Sequence, residues 1–308
     1  MRPVVIMLLA CLSVSCVAPE GSARRADVIE MQPLTLPAYD AERGIRWSAT
    51  AEQYAAARAD TRFLMEQFAY QSDGLTVGAY LYRPRTISRG LPVIIFNRGS
   101  FTRPDSFAGE MLVMAHHYVS AGFLVIAPHY RGSIGAAGRD ELGGADLHDL
   151  VNLLPAIERI EGADPSRLFL VGESRGGAMV YMALREGFPA RAAAVWGAFT
   201  DLEPLITSGP QAQYAPQIWP DLEHNRAHIV ETRSALRWAD KINVPILIMH
   251  GGVDADIPLD QSQRMAAELA RLGKPHKLLV FDDQQHVIGG RNEERDASVV
   301  AWFQAARR

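Results

Sequence analysis

Cysteine is scarce in this sequence, with 2 residues in 308, Cys11 and Cys16, both near the amino terminus. The rest of the chain has no pair of cysteines for a disulfide and must be stabilised by its core alone. Nine histidines are present, yet the sequence has no His-Glu-x-x-His motif and no paired cysteines of the kind that bind zinc. No phosphate or dinucleotide loop motif is present either. The sequence therefore predicts no metal and no cofactor.

An excess of one charge is also missing. The net charge is −4, and there is no block of five or more like charges, so the chain offers no basic surface for a nucleic acid. Internal repeats and low-complexity tracts are absent. Hydrophobic residues make up 48% of the chain. This length and composition suffice for a sheet covered by helices on both faces.

The sole long apolar segment is the first one. Residues 1–15 combine a short basic start with an apolar stretch too brief to span a membrane, which is the pattern of a secretory signal peptide. We therefore expect export to the periplasm or cell envelope. Cys16 follows a small residue and resembles a bacterial lipoprotein processing site, so it is the predicted lipid anchor and the expected means of membrane attachment. Cleavage after Ala18 or Ala23 is the alternative.

Residues 16–50 are rich in proline and weakly patterned, which indicates an extension that tethers the domain or straps over it. The catalytic domain is then predicted over residues 51–308. Residues 50–53 read Thr-Ala-Glu-Gln, a capping box that predicts a helix, and apolar positions extend this predicted helix to Phe63 and Leu64. Two strand-like runs flanking residues 72–74, Ser-Asp-Gly, predict a hairpin.

Strand and helix patterns then alternate along the chain. This alternation predicts an α/β fold with a mostly parallel central sheet of about eight strands and helices on both faces. An insertion at about residues 199–241 follows a strand and predicts a small cap over the site. The predicted strands are 93–97, 123–128, 167–172, 192–198, 245–250 and 277–282, and the predicted helices are 107–120, 145–160, 176–187, 259–272 and 293–306.

The candidate nucleophile lies in residues 172–177, which read Gly-Glu-Ser-Arg-Gly-Gly between an apolar run and a helical pattern. This is a Gly-x-Ser-x-Gly motif at a predicted turn from strand to helix. Such a turn holds the serine in a strained conformation and raises its hydroxyl above the sheet. Ser174 is therefore the predicted nucleophile.

A serine nucleophile needs a histidine to take its proton and a carboxylate to orient that histidine. The strand-like run 245–250 leads into Asp254, and the run 277–281 leads into His286. The chain order Ser, Asp, His is that of the α/β-hydrolases, and both partners follow the carboxyl end of a strand. Asp256, two residues after Asp254, is the alternative carboxylate.

Four stretches together resemble the catalytic domain of the prolyl oligopeptidase family of serine peptidases. They are residues 128–133 (Pro-His-Tyr-Arg-Gly-Ser), 164–167 leading into the serine motif, 239–242 leading into His-Gly-Gly-Val-Asp at 250–254, and the late His286. The resemblance covers about residue 60 to the end. The resemblance implies an α/β-hydrolase fold with Ser174, Asp254 and His286 as the catalytic triad. Relatives with peptidase activity usually owe their selectivity for short or N-terminally free peptides to an additional propeller domain. The residues between the predicted signal and the first helix are too few to build one.

Acyl transfer also requires donors for the oxyanion, usually two backbone N–H groups. The first is expected from Arg175, directly after the nucleophile. The second is expected from Ser100 or a residue beside it, in the turn after the strand at 93–97. An arginine and a glycine occupy the place where many α/β-hydrolases carry His-Gly.

Aromatic residues near the strand ends are candidates for the substrate pocket, and for Trp196, Phe199 and Trp219 the alternative is a role in packing the cap. The candidates are Phe101, Tyr130, Trp196, Phe199 and Trp219.

The sequence thus predicts a serine hydrolase that cleaves peptide bonds in small peptides. A carboxylesterase for small acyl esters is the alternative, because the same triad serves both reactions. An inactive lipoprotein that uses the pocket for binding is a third hypothesis, disfavoured because all three triad residues are present.

Overall fold

The computed structural model describes residues 30–41, 43–87, 90–100, 106–209 and 211–306. The predicted signal peptide, the predicted anchor Cys16 and the predicted pocket residue Phe101 lie outside the described residues. Within those ranges, none of the helices has the length and apolar character needed to cross a bilayer.

One sheet of nine strands runs through the described part of the chain, in the order β1-β2-β3-β5-β4-β6-β7-β8-β9. Strands β1 to β3 pair antiparallel, β3 pairs antiparallel with β5, and the remaining five pairs are parallel. The predicted mostly parallel sheet is confirmed, and the additional strand is the two-residue β1. The strands are β1 (Gln32–Pro33), β2 (Phe63–Ser72), β3 (Leu75–Pro84), β4 (Leu91–Asn97), β5 (Leu124–Pro128), β6 (Ala163–Glu173), β7 (Ala190–Trp196), β8 (Ile246–Gly251) and β9 (His276–Phe281).

Helices cover both faces of this sheet. The α-helices are α1 (Arg43–Ser48), α2 (Ala51–Ala59), α3 (Ala108–Ser120), α4 (Leu147–Val151), α5 (Leu154–Ile157), α6 (Arg175–Arg185), α7 (Leu202–Thr207), α8 (Ala215–Ile218), α9 (Leu222–Arg233), α10 (Asp260–Arg271) and α11 (Asn292–Ala305). Short 3-10 helices lie at Tyr39–Ala41, Ala235–Lys241 and Gly289–Arg291. The predicted helix over 145–160 is in fact two short helices, α4 and α5, with a proline in the first turn of α5.

The core has two parts because successive side chains of a strand point to opposite faces of the sheet. In β4, Val93 and Ile95 pack on one face with α6 and α10, whereas Ile94 and Phe96 pack on the other with α3 and α11. All of these strand side chains are buried. A central strand buried on both sides explains the continuous apolar runs of the sequence.

Residues 30–50 lie on the domain in the manner of a strap. Strand β1 pairs with β2, and Ile45 is buried in the core with α3. The hydroxyl of Tyr54 donates to the carbonyl of Pro37 at 2.9 Å. These contacts fix the described part of the extension against the domain.

The helix predicted to reach Phe63 and Leu64 ends earlier. The Thr50 capping box is present, since the Thr50 hydroxyl accepts from the Gln53 N–H at 3.2 Å and the Gln53 side chain accepts from the Thr50 N–H. At the other end, the carboxylate of Asp60 accepts the N–H of Arg62 at 3.0 Å, which stabilises a turn instead of another helical turn. Phe63 and Leu64 therefore begin β2, and their prediction as helical residues is wrong.

A buried ion pair fixes the loop that follows β5. Asp149, in α4, accepts the Arg131 N–H at 2.7 Å and the Arg131 guanidinium at 2.7 Å, and both side chains are buried. The hydroxyl of Tyr70 donates to the Asp149 carbonyl at 2.6 Å. The pair thereby joins α4, β2 and the loop after β5.

We expect Asp149→Ala to lower the free energy of unfolding by about 3–5 kcal/mol, because it leaves the buried guanidinium of Arg131 without its main partner. Urea denaturation of both proteins measures the difference. Glu268→Ala is the matched control, since it breaks the surface pair with Arg271 and should leave stability nearly unchanged. Equal effects of the two substitutions would contradict the assignment.

Candidate active site

Ser174 occupies the sharp turn between β6 and α6. Its backbone has φ 51° and ψ −119°, a region that residues other than glycine seldom adopt. Its N–H donates to the carbonyl of Trp196 at 2.8 Å, and its carbonyl accepts the N–H of Gly177 at 3.0 Å. The backbone on both sides therefore holds the strained conformation that the motif predicts.

Two glycines allow the strand and the helix to approach at this turn. A Cβ atom on Gly172 would lie 2.4 Å from the carbonyl oxygen of Gly176, and one on Gly176 would lie 1.9 Å from the carbonyl oxygen of Asn97. Neither neighbour is a flexible side chain that can move away. The glycines two before and two after Ser174 are thus required by backbone contacts with α6 and β4.

His286 and Asp254 form a direct hydrogen-bonded pair. Nδ1 of His286 lies 2.7 Å from Oδ2 of Asp254. The second oxygen of Asp254 accepts the backbone N–H groups of Asp256 and Ile257, each at 2.9 Å. His250 braces the same loop, with Nε2 at 2.9 Å from the Ile257 carbonyl and 3.2 Å from Oδ2 of Asp254. With Nδ1 paired, the Nε2 atom of His286 is left to accept a proton.

The end of β7 lies between the serine and the histidine. Trp196 accepts the N–H of Ser174, and a Cβ atom on the next residue, Gly197, would lie 3.0 Å from the ring of His286. Ser174 and His286 therefore approach two consecutive residues of the chain, Trp196 and Gly197 respectively. The structure brings the three residues of the predicted triad to the carboxyl ends of β6, β8 and β9, where α/β sheets place their sites.

The charges around His286 favour its protonated form. Burial opposes that form, but the hydrogen bond and charge of Asp254, with the charges of Glu173 and Asp256, outweigh it and raise the pKa of His286 above its usual 6.5. For Asp254, burial alone would raise the pKa, and the hydrogen bonds from His250 and His286 instead hold it well below its usual range. Asp254 is therefore ionised at neutral pH.

Asp256, the alternative carboxylate, is exposed beside this pair. Asp254, Asp256 and His286 each have an oxygen or nitrogen atom that could bind a metal ion, and these atoms lie within 4.8 Å of one another. Both oxygens of Asp254 already accept hydrogen bonds, and Nδ1 of His286 is turned to Asp254. Asp254 thus forms the hydrogen bond with His286. Asp256 affects His286 through its charge.

The two predicted oxyanion donors belong to chain segments next to Ser174. Arg175 begins α6, where the first N–H groups have no acceptor inside the helix. Ser100 is exposed and has φ 65°. The preceding Gly99 packs against the nucleophile, since a Cβ atom there would lie 3.5 Å from the Cβ of Ser174.

A buried ion network beneath these residues is not evident from the sequence. It consists of Arg98, Arg175, Asp140 and Asp146, and the side chains of all four are at most 3% exposed. Asp140 lies 3.1 Å from Arg98 and 2.7 Å from Arg175, and Asp146 lies 2.6 Å from Arg175. Arginine and aspartate are usually surface residues, so no local pattern marks these four as partners.

Tyr130 and Trp196 do not fit their predicted role as pocket residues, because both side chains are fully buried. The guanidinium of Arg175 covers the Tyr130 ring at 4.5 Å, and the Tyr130 hydroxyl donates to the side chain of Asn97. The guanidinium of Arg295 covers the Trp196 ring at 4.7 Å. These aromatic rings therefore pack against buried cations below the site.

Phe199 and Trp219 are buried in the core that holds the cap, at 3% and 4% exposure. The indole N–H of Trp219 donates to the Glu141 carbonyl at 3.0 Å. Trp219 also lines a cavity of about 640 Å³ with Arg139 and Arg233, and the lining does not include Ser174 or His286. Their burial and contacts are those expected of residues that pack the predicted cap against the domain.

This sheet, with a strained serine at a strand–helix turn and an Asp–His pair at later strand ends, defines an α/β-hydrolase. The sequence model of the prolyl oligopeptidase family matches residues 106–307. The chain therefore belongs to the prolyl oligopeptidase family, which supports a serine hydrolase.

Known proteins that resemble the chain agree with this family. The Bacillus subtilis protein named uncharacterized peptidase YtmA is 24% identical over 230 residues, covering 73% of this chain and 87% of that protein. The acylamino-acid-releasing enzyme of Sus scrofa is 24% identical over 294 residues, covering 87% of this chain and 40% of that enzyme. A solved puromycin-hydrolyzing peptidase from Mycobacterium tuberculosis is 27% identical with a TM-score of 0.69, covering 80% of this chain and 40% of that one. The chain thus spans less than half of the latter two proteins.

We expect Gly176→Ala to destabilise the fold by about 3 kcal/mol or more, because the new methyl group meets the backbone of Asn97 and overpacked sites relax poorly. Folded molecules should also lose reactivity at Ser174, since the loop after β4 is displaced. Urea denaturation and the rate of fluorophosphonate labelling measure the two effects.

Gly90→Ala is the matched control, because its Cβ atom would lie 3.4 Å from the nearest neighbour. A Gly176→Ala protein with the stability and labelling rate of the wild type would show that the close contact has no role.

Proposed function

We propose that this protein hydrolyses peptide bonds through an acyl-enzyme on Ser174. The observation that carries the proposal is the 2.7 Å contact between His286 and Asp254, at the carboxyl ends of β8 and β9 and so at the same end of the sheet as the strained serine after β6. A carboxylate on Nδ1 fixes the tautomer that leaves Nε2 free to act as a base. A histidine–carboxylate pair with a purely structural role would not need a serine in a strained conformation beside it, so the combination favours catalysis.

The reaction has two halves. Nε2 of His286 takes the hydroxyl proton of Ser174 while Oγ attacks the carbonyl carbon of the substrate. The tetrahedral intermediate collapses as the C–N bond breaks, and the leaving amine takes the proton from His286. Water then loses a proton to His286 and attacks the acyl-enzyme, and the departing Oγ of Ser174 recovers that proton.

The negative charge that develops on the substrate oxygen needs donors already in place. The N–H groups of Arg175 and Ser100 are the proposed donors, one directly after Ser174 in the chain and one in the loop whose Gly99 packs against Ser174. The N-terminus of α6 adds a favourable partial positive charge at this position.

Family membership and the peptidase activities that its relatives are named for favour an amide substrate over an ester. The substrate class is tested by measuring turnover of aminoacyl arylamides and short acyl esters with one preparation. Turnover of arylamides supports the proposal, and turnover confined to esters would replace it with the carboxylesterase. Failure of both, with no labelling at Ser174, would favour the inactive binding protein.

Ser174→Ala should lower kcat by about 10⁶, because the acyl-enzyme cannot form. A fluorophosphonate should label the wild type at Ser174, as mass spectrometry of the digested protein can establish. Ser166→Ala is the control, since that exposed serine lies at the opposite end of β6. Labelling at a different serine, or activity that survives in Ser174→Ala, would refute the proposal.

The pH dependence should follow His286, which must be neutral to accept the serine proton. Because its pKa is raised above 6.5, kcat/KM should increase with pH through a pKa above that value and then level off. Asp256→Asn removes one of the charges that raise this pKa, so it should move the acid limb to lower pH. Asp254→Asn should instead lower kcat by about 10⁴, because the imidazole loses its orienting charge.

Asp260→Asn is the control for charge alone, since it removes an exposed acid at the start of α10. The pH profiles of all four proteins are compared at constant ionic strength. A larger loss of kcat in Asp256→Asn than in Asp254→Asn would mean that Asp256 is the triad carboxylate.

A further inference from the structure

Arg98 directs its buried guanidinium at the backbone of its own loop. Its Nη1 atom donates to the carbonyl oxygens of Gly99 and Ser100, each at 3.1 Å. Its Nη2 atom donates to the Ser133 hydroxyl at 2.6 Å and to Asp140 at 3.1 Å. Residues 98–100, here called the β4 loop, thus wrap around a guanidinium that Ser133 and Asp140 hold in place.

The planarity of the peptide group determines where the N–H groups of this loop point. In a trans peptide the C=O and the following N–H are antiparallel. Because the Gly99 carbonyl is turned to Arg98, the N–H of Ser100 points away from Arg98. The left-handed φ of 65° at Ser100 lets two successive carbonyls reach one donor atom, at a conformational cost that the guanidinium offsets.

The outward side of the β4 loop faces the nucleophile. Gly99 packs against Ser174 and Glu173, with 3.5 Å from its ideal Cβ position to the Cβ of Ser174. Ser100 itself is exposed. An N–H turned away from the buried guanidinium on this loop is therefore presented beside Ser174.

We propose that Arg98 is a positioning residue that orients the N–H of Ser100 as an oxyanion donor. The proposal rests on the proposed function, since it requires an oxyanion at Ser174. Arg98 itself does not contact the substrate. It acts through the two carbonyls that it holds.

Asp140 connects this arrangement to the other donor. One of its oxygens accepts from Arg98 and the other accepts from Arg175 at 2.7 Å. Burial and the charge of Arg175 lower the pKa of Arg98 to about 10, so the guanidinium remains charged at neutral pH. A single carboxylate thus binds the side chain of Arg98, which holds the β4 loop, and the side chain of Arg175, which directly follows Ser174.

The test compares Arg98→Met with the wild type on an aminoacyl arylamide that the wild type turns over. We expect kcat to fall about 10- to 100-fold, less than for complete removal of an oxyanion donor, while KM changes less than about threefold, because the lost interaction forms in the transition state. The trifluoromethyl ketone of the same amino acid binds as a tetrahedral oxyanion on Ser174. Its affinity should fall by the same factor as kcat/KM.

Arg131→Met is the matched control, because Arg131 is also a buried, ion-paired arginine but contacts Asp149 and Asp73 instead of the β4 loop. It should lose stability and keep both kcat per folded molecule and affinity for the ketone. If Arg98→Met does not fold, Ser133→Ala takes its place, since it removes the 2.6 Å bond to Nη2. That variant should show a smaller loss of about 3- to 10-fold in kcat, again matched by the ketone.

An unchanged kcat in the folded variant would overturn the proposal, as would a loss of kcat without a matching loss of affinity for the ketone. Failure of the proposed function gives a different result. In that case the wild type itself would show no labelling at Ser174 and no affinity for the ketone, and the role of Arg98 would fall with it.

Discussion

The active-site geometry depends on the close approach of helix α6 to the end of strand β4. Gly176 meets the carbonyl of Asn97 with no space for a side chain, and the Asn97 side chain donates to the carbonyl of Val171 in β6 at 2.9 Å. These contacts fix the turn that carries Ser174 against the loop that carries Ser100. The strain at Ser174 can persist because the surrounding backbone leaves no alternative. The geometry of the proposed active site is therefore a consequence of backbone packing, before any side chain of the proposed triad is considered.

The charges beneath the turn act in the same direction. Burying two guanidinium groups and two carboxylates costs several kcal/mol per ion, and their mutual attraction offsets this without giving much net stability. Such a network contributes a defined geometry, because each group must keep its partners or be left as an unpaired buried charge. Here Asp140 binds Arg98 and Arg175 together. A rigid backbone around Ser174 would hold the N–H donors in place before negative charge develops on the substrate oxygen. Electrostatic stabilisation of a transition state requires such preorganised donors.

The sequence predicts the parts of this molecule that depend on local pattern. The buried strands are apolar runs, the turn at Ser174 needs glycines at fixed spacing, and the order of Ser174, Asp254 and His286 follows from a common sheet topology. The roles of Arg98 and Tyr130 depend on partners distant in the chain, so no local pattern distinguishes a buried arginine from a surface one. Aromatic residues after strand ends serve equally to pack a cap or to line a pocket, which is why the prediction for Trp196 does not fit the structure.

The segment predicted as the cap is hydrogen-bonded to α10 and to the loop that carries Asp254 and Asp256. Its first residues are held on α10, where the hydroxyl of Thr200 donates to the Gln261 carbonyl at 2.8 Å. Further along, the side chain of Gln211 donates to the carbonyl of Asp256 at 3.0 Å. The N–H of Asp256 in turn donates to the carboxylate of Asp254. A hydrogen-bonded path therefore joins Gln211 to the carboxylate that binds His286. The same path includes Asp256, whose charge contributes to the raised pKa of His286. The segment predicted as the cap and the proposed base, His286, are thus connected by hydrogen bonds through the short loop that carries Asp254 and Asp256.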